Sequence, residues 1–137
     1  MPIEPPRGPD GRVIPHDHLE ILDEHYVIRW TTANDVHPIE ARLISGAFSE
    51  SSEGGMSVDI EDWIVSAGLD RLHNVPIGFG AVRLNVGALR GLGFQVGWDP
   101  VGSNPYHGAV WGIGNGSGRR RKILAIAERL RSAKGEI

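Results

Sequence analysis

Residues 79–113 read FGAVRLNVGALRGLGFQVGWDPVGSNPYHGAVWGI. Phe79–Val86 alternates apolar and polar side chains well enough to predict a strand. Phe94–Trp98 predicts a second, ended by Asp99-Pro100, and His107–Ile113 a third, carrying Val110 and Trp111. Only a short helical turn, Gly87–Leu92, and a loop over Val101–Pro105 separate them. Direct strand-to-strand links of this kind outnumber strand-helix-strand crossovers in the chain, which favours a mostly antiparallel sheet over a doubly wound one.

Upstream, Tyr26–Trp30 is β-rich and predicts the first firm strand, with Ala41–Phe48 as a second extended segment. Ser49–Gly55 has loop composition, and Met56–Val58 predicts a short strand. Over Asp59–Ala67, helical spacing brings Ile60, Trp63, Ile64 and Ala67 to one face. Asp59 is the expected cap, Asp62 favours the first turn and Gly68 is the stop. Downstream, Gly112–Gly118 is a glycine-rich loop and Arg119–Lys134 predicts a helix in which Ile123, Ile126, Ala127 and Leu130 share a face. The expected fold class is α+β: a small, curved, mostly antiparallel sheet with two to three helices, including a C-terminal amphipathic helix.

Residues 1–15 hold five of the nine prolines, so they predict an extended arm; His16–Glu24 suits one short helical turn, and residues 16–137 a single globular domain. The absence of cysteine excludes disulfides, Cys-ligated zinc, iron–sulfur clusters and a thiol nucleophile. No apolar run approaches the roughly 18 residues of a membrane span, and the start lacks a secretory pattern, so a cytoplasmic protein with no membrane partner is expected. Charge is uneven: through Asp62 there are 13 Asp/Glu against four Lys/Arg, and after it four against ten. Packing of the two halves against each other would neutralise part of this; a basic face built by the last helix and meeting an anion is the functional reading. The overall balance of −3 argues against a nucleic-acid partner.

Several stretches occur together: Ser45-Gly46-Ala47-Phe48 leading to Gly54-Gly55-Met56-Ser57-Val58-Asp59, then Val82-Arg83-Leu84, then Asp99-Pro100 with Asn104-Pro105-Tyr106-His107-Gly108. With Pro15-His16-Asp17-His18 and the first strand, they resemble a family of small bacterial proteins to which no activity is attached. That resemblance implies a bacterial, single-domain protein and no mechanism. A weaker resemblance is to ADP-ribosyltransferase-like toxin folds, with Arg29 on the first strand and Ser57 on a later one. The chain departs from that pattern in acidic residues: after Asp62 they are Asp70, Asp99, Glu128 and Glu136, none on an expected catalytic strand except Asp99 at a strand end.

His107 stands where a loop enters a strand, beside a stiff Pro105 and an open Gly108, and is the candidate acid/base, with Tyr106 to orient a substrate. A histidine simply tied into its loop is the structural alternative. Ser57 leads from a serine- and glycine-rich loop and is the third catalytic candidate. Arg29, Arg42 and Arg83 lie on or near strands and are candidates to hold a phosphate or carboxylate, or to pair with the acidic first half. Ser117 and Arg119 open the last helix, where Arg119-Arg120-Arg121-Lys122 crowd the positive end of the dipole; a bound anion would offset that cost. His16 and His18 could face one side of an extended chain, with His25 or His37 beside them, but no spacing fixes a third ligand, so no metal and no cofactor is assigned.

Two function classes follow. One is an enzyme or toxin-like effector acting on a phosphate- or ribose-containing substrate, which requires His107, Ser57 and strand arginines to share a hollow. The other is a non-enzymatic binding, immunity or accessory protein recognising a partner protein through its charged surface.

Overall fold

A computed structural model of the chain describes residues 2–114 and 116–136. Six strands form one open sheet: β1 (Tyr26–Thr31), β2 (Met56–Ile60), β3 (Gly80–Asn85), β4 (Gln95–Trp98), β5 (His107–Trp111) and β6 (Glu128–Arg131). Their order is β4-β5-β2-β1-β3-β6, and every pairing is antiparallel. Three helices interrupt them: α1 (Glu61–Ser66), α2 (Val86–Gly91) and α3 (Ser117–Ile126). The expected α+β fold with a mostly antiparallel sheet is therefore the observed one.

Alternation along the strands sends two sets of side chains to opposite faces. Val27, Val58, Val82, Leu84, Val96 and Val110 point to the main core, where Val86 and Leu89 of α2 and Ile123 of α3 join them with Phe48. Each such large apolar side chain contributes about 1.5–3 kcal/mol on full burial. The other face is covered over β1 and β3 by Leu72 and Val75 packing on Ile28 and Ala81. Over β2 and β5 that face carries no comparable apolar layer among the described residues, and the candidate site lies there.

Three local expectations are corrected. Ala41–Phe48 is not a strand: Leu43 makes a single bridge to Val36, and Ser45–Phe48 is a 3-10 turn that drives Ala47 and Phe48 into the core. Asp59 does not cap a helix, because β2 runs on to Ile60 and α1 starts at Glu61. The last helix ends at Ile126, and β6 replaces its predicted second half. Apolar Leu130 with polar neighbours fits a helix face and an edge strand alike, and the open side of β3 takes the segment as a strand.

The arm is docked. Arg7 and Val13 bridge across a tight turn. The helical turn expected over His16–Glu24 is absent among the described residues: turns lie at Leu19–Glu20 and Asp23–Glu24, and His16–His18 runs along the outer edge of β4. There Asp17 Oδ1 accepts the Val96 N–H at 2.9 Å, His16 Nε2 accepts the Trp98 N–H at 3.2 Å and the His18 N–H donates to the Val96 carbonyl at 3.0 Å. A free strand edge is thereby closed by the chain's own groups. Gly97 makes the close approach possible, since a Cβ there would lie 2.6 Å from the His16 ring and 2.7 Å from Trp111.

Candidate functional site

β2 and β5 are neighbours, with Asp59 opposite His107, Val58 opposite Gly108 and Ser57 opposite Ala109. Ser57, Asp59, His107, Ala109 and Trp111 consequently share the face away from the main core. Ser57 and Ala109 are small, so the floor is low, while the arm, the 51–55 loop and the 99–104 loop stand around it. The result is a cleft of two hollows that share Ser57, Val101 and His107. The arm-side hollow, about 600 Å³, is also lined by Arg7, Arg12, Glu53, Asp99 and Trp111. The second, about 470 Å³, is also lined by Arg29, Trp30, Asp59 and Asn104.

His107 is held in one protonation geometry. Its Nδ1 lies 2.6 Å from the Asp99 carbonyl oxygen, which can only accept, so the proton of the neutral ring sits on Nδ1. Nε2 then carries the lone pair and has no bonded partner among the described residues. The side chain is 15 % exposed, with the Asp99 carboxylate 3.8 Å from Nδ1. A buried but reachable imidazole with a free basic nitrogen is suited to proton transfer.

Beneath it, Asp59 is 1 % exposed. Its carboxylate accepts Trp30 Nε1–H at 2.7 Å and Asn104 Nδ2–H at 3.0 Å. Burial raises its pKa above the ordinary 3.8, against the lowering effects of those two bonds and of His107. Asn104 is itself fixed, its Oδ1 accepting from Asn74 Nδ2–H at 3.1 Å and the Tyr106 N–H at 3.0 Å. The loop before β5 thus delivers one residue to hold Asp59 and the next-but-two, His107, to face it.

Arg29 points to the core side by alternation yet reaches the cleft, because β1 and β2 part beyond Ile28 and Asp59. Its guanidinium bridges the gap, donating from Nε to the Ala47 carbonyl at 3.1 Å and from Nη1 to the Ser57 carbonyl at 3.0 Å. Burial lowers its pKa, opposed by the charge of Asp35. Among the described residues no carboxylate comes within ion-pair distance of it.

The remaining predicted residues lie elsewhere. Tyr106 precedes His107, so alternation turns it to the opposite side, where it lines a hollow with Trp63 and Trp98. Arg42 is exposed and pairs with Glu40. Arg83 is taken by Glu61 at 2.8 Å and Glu128 at 3.5 Å and stacks 3.6 Å above the Tyr26 ring. Those two carboxylates keep its pKa raised, although burial pulls it down. Ser117 starts α3 in the open, and Arg119 folds back onto the Gly112 carbonyl at 2.9 Å. The loop amides at Gly112 and Ile113 both donate to Glu50 Oε1, so a carboxylate of the chain holds that position. Asn115 of that loop lies outside the described residues. His16 and His18 have both ring nitrogens engaged: His16 with the Ile14 carbonyl and Trp98 N–H, His18 with the Ile3 carbonyl and Glu20 N–H.

Sequence reading missed Asp59, Trp30, Asn104, Arg7 and Trp111 as site residues. Asp59 carried a signal as an acid in a predicted strand-to-helix junction, concealed by its capping chemistry, and Asn104 stood in the 104–108 stretch without a role assigned to it. The others come together through strand register and the docking of the arm. No protein-family model, curated protein or solved structure matches this chain.

Proposed function

We propose that the protein is an enzyme acting on a small phosphate- or ribose-containing molecule bound in the cleft over β2 and β5. His107 Nε2 takes a proton from an attacking hydroxyl or water and returns it to the leaving group. Asp59, fixed by Trp30 and Asn104, favours the imidazolium that this transfer creates, and Arg29 supplies a positive field at the other wall. Ser57 presents its hydroxyl on the floor between the hollows. The observation that carries the reading is the pairing of an imidazole nitrogen with a buried carboxylate inside a cleft that also holds a guanidinium with no carboxylate at ion-pair distance among the described residues. The test is turnover of a panel of nucleosides, nucleotides and sugar phosphates, followed by chromatography and ³¹P NMR. Activity in the wild type that is lost in His107→Asn supports it, and turnover unchanged in that variant removes it.

The alternative reading, a partner-binding module, draws on α3. Arg119, Arg120, Arg121 and Lys122 make no ion pair among the described residues, and the helix lies on the other face of the sheet from the cleft. An acidic partner protein would answer that charge.

A further inference from the structure

We infer that Asn74, which lies outside the cleft, is a positioning residue of the candidate site: through the Asn104 amide it maintains a donor-only surrounding for Asp59 and so holds that buried carboxylate in its ionised form opposite His107. The bearing of this on turnover rests on the cleft being an active site.

The first observation is the orientation of the Asn104 amide. Its Oδ1 accepts the Tyr106 N–H at 3.0 Å, and a backbone N–H cannot accept, so the oxygen end faces Tyr106. The same oxygen accepts Asn74 Nδ2–H at 3.1 Å, which takes up its second lone pair. The nitrogen end is thereby turned to Asp59, donating to Oδ1 at 3.0 Å. Trp30 Nε1–H, a donor only, meets Oδ2 at 2.7 Å. Both carboxylate oxygens therefore face donors that favour the anion, although the residue is 1 % exposed.

The second observation is what a turned amide would require. Rotated by half a turn, Asn104 would present its oxygen to Asp59, and only a protonated carboxyl could meet it. The same rotation would set the Asn104 NH₂ group against the donors of Tyr106 and Asn74. Asn74 thus supplies one of the two contacts that oppose rotation of the amide and, with it, protonation of Asp59.

The third observation is the placement of Asn74. It stands in the turn between α1 and β3, where Leu72 and Val75 pack on Ile28 and Ala81 and the Val75 N–H donates to the Leu72 carbonyl at 2.9 Å. The turn is anchored to the sheet, and Asn74 lines neither hollow of the cleft. Its effect on a bound molecule therefore passes through Asn104 and Asp59. Around Asp59, His107 faces it from β5, β1 brings Trp30 and Arg29 to the same hollow, and the turn reaches the network through the uncharged Asn74. Asp99 sits against Nδ1 of His107.

The side-chain carboxyl ¹³C resonance of Asp59, assigned with Asp59→Asn and followed against pH in the full chain, tests this. Asn74→Ala removes a donor that favours the anion and should raise the midpoint by about half to one pH unit. Asn74→Gln, which keeps an amide donor, should return most of that shift. Asn104→Leu, which removes the donor to Oδ1 itself, should raise the midpoint at least as far as Asn74→Ala. Lost packing alone predicts lower thermal stability with the midpoint in place, and that result overturns the inference. If Asn74→Ala does not fold, an unmoved midpoint in Asn104→Leu overturns it equally. For any panel compound that is turned over, the acid limb of kcat/KM should follow the carboxyl midpoint in Asn74→Ala, and a limb that stays in place overturns the bearing on turnover. A raised midpoint without His107-dependent turnover upholds the positioning of Asp59 and removes the enzyme reading.

Discussion

Asp59 and His107 are direct cross-strand partners, one buried and anchored by two N–H donors, the other tied through Nδ1 to a backbone carbonyl. Adjacent Cβ atoms in an antiparallel ladder lie about 4.5–5.5 Å apart, so the two groups feel each other's charge. The backbone register, not a flexible loop, sets their separation. The carboxylate facing the His107 imidazole is therefore held in place by the sheet and by its two N–H donors.

Replacing His107 by Asn separates its two roles. The Asn amide can still donate to the Asp99 carbonyl, while the basic Nε2 is lost. Turnover should fall by about 10²–10⁴-fold. Thermal stability should stay close to wild type, whereas His107→Ala should lose both activity and stability in the same calorimetric and kinetic comparison.

The raised pKa of Asp59 has a signed consequence for stability. The folded chain binds this proton more tightly than the unfolded chain, so the contribution of Asp59 is most favourable below the ordinary value of 3.8 and worsens as pH rises through the folded pKa. Relative to Asp59→Asn, the wild type should lose stability on going from acid towards neutrality. Urea unfolding of both proteins across that range gives the difference, and a difference that stays flat or runs the other way refutes the assignment.

Glu61 is 5 % exposed and depends on Arg83 at 2.8 Å, with Arg71 only at 3.9 Å. Removing Arg83 leaves a buried carboxylate without its close partner. Arg83→Ala should cost about 3–5 kcal/mol in unfolding free energy, while Arg42→Ala, at an exposed pair, should cost about 1 kcal/mol or less. Measured side by side in denaturant, comparable losses would contradict the structural role given to Arg83.

The arm depends on Asp17, whose Oδ1 accepts from both Val96 N–H and Arg90 Nε, at 2.9 and 3.0 Å. Asp17→Ala should cost about 1–3 kcal/mol by leaving a strand-edge N–H unsatisfied. It should also speed limited proteolysis within residues 7–15. Because that segment walls the arm-side hollow, ligand binding there should weaken in parallel.

Strand identity was readable where alternation and turn chemistry agree, as at Tyr26–Trp30, Phe94–Trp98 and the run from His107. His107 and Ser57 were readable as candidates because they stand at loop-to-strand junctions. Tyr106 was not separable from His107 in one dimension, although a period of two sends the pair to opposite faces once a strand begins at His107. Arg83 and Arg42 looked like anion holders because their partners, Glu61 and Glu40, can be assigned only with geometry in hand.

Local chemistry along the chain decided the fold class: short alternating runs, glycine and proline punctuation and a sufficient apolar content leave an antiparallel α+β domain as the consistent answer. Which residues form the cleft was decided by long-range pairing. Asp59 meets His107 through register, Arg29 enters because two strands diverge, and Arg7 arrives because a proline-rich arm docks on an open edge. Such contacts join residues tens of positions apart, and a one-residue change in register would send each side chain to the other face.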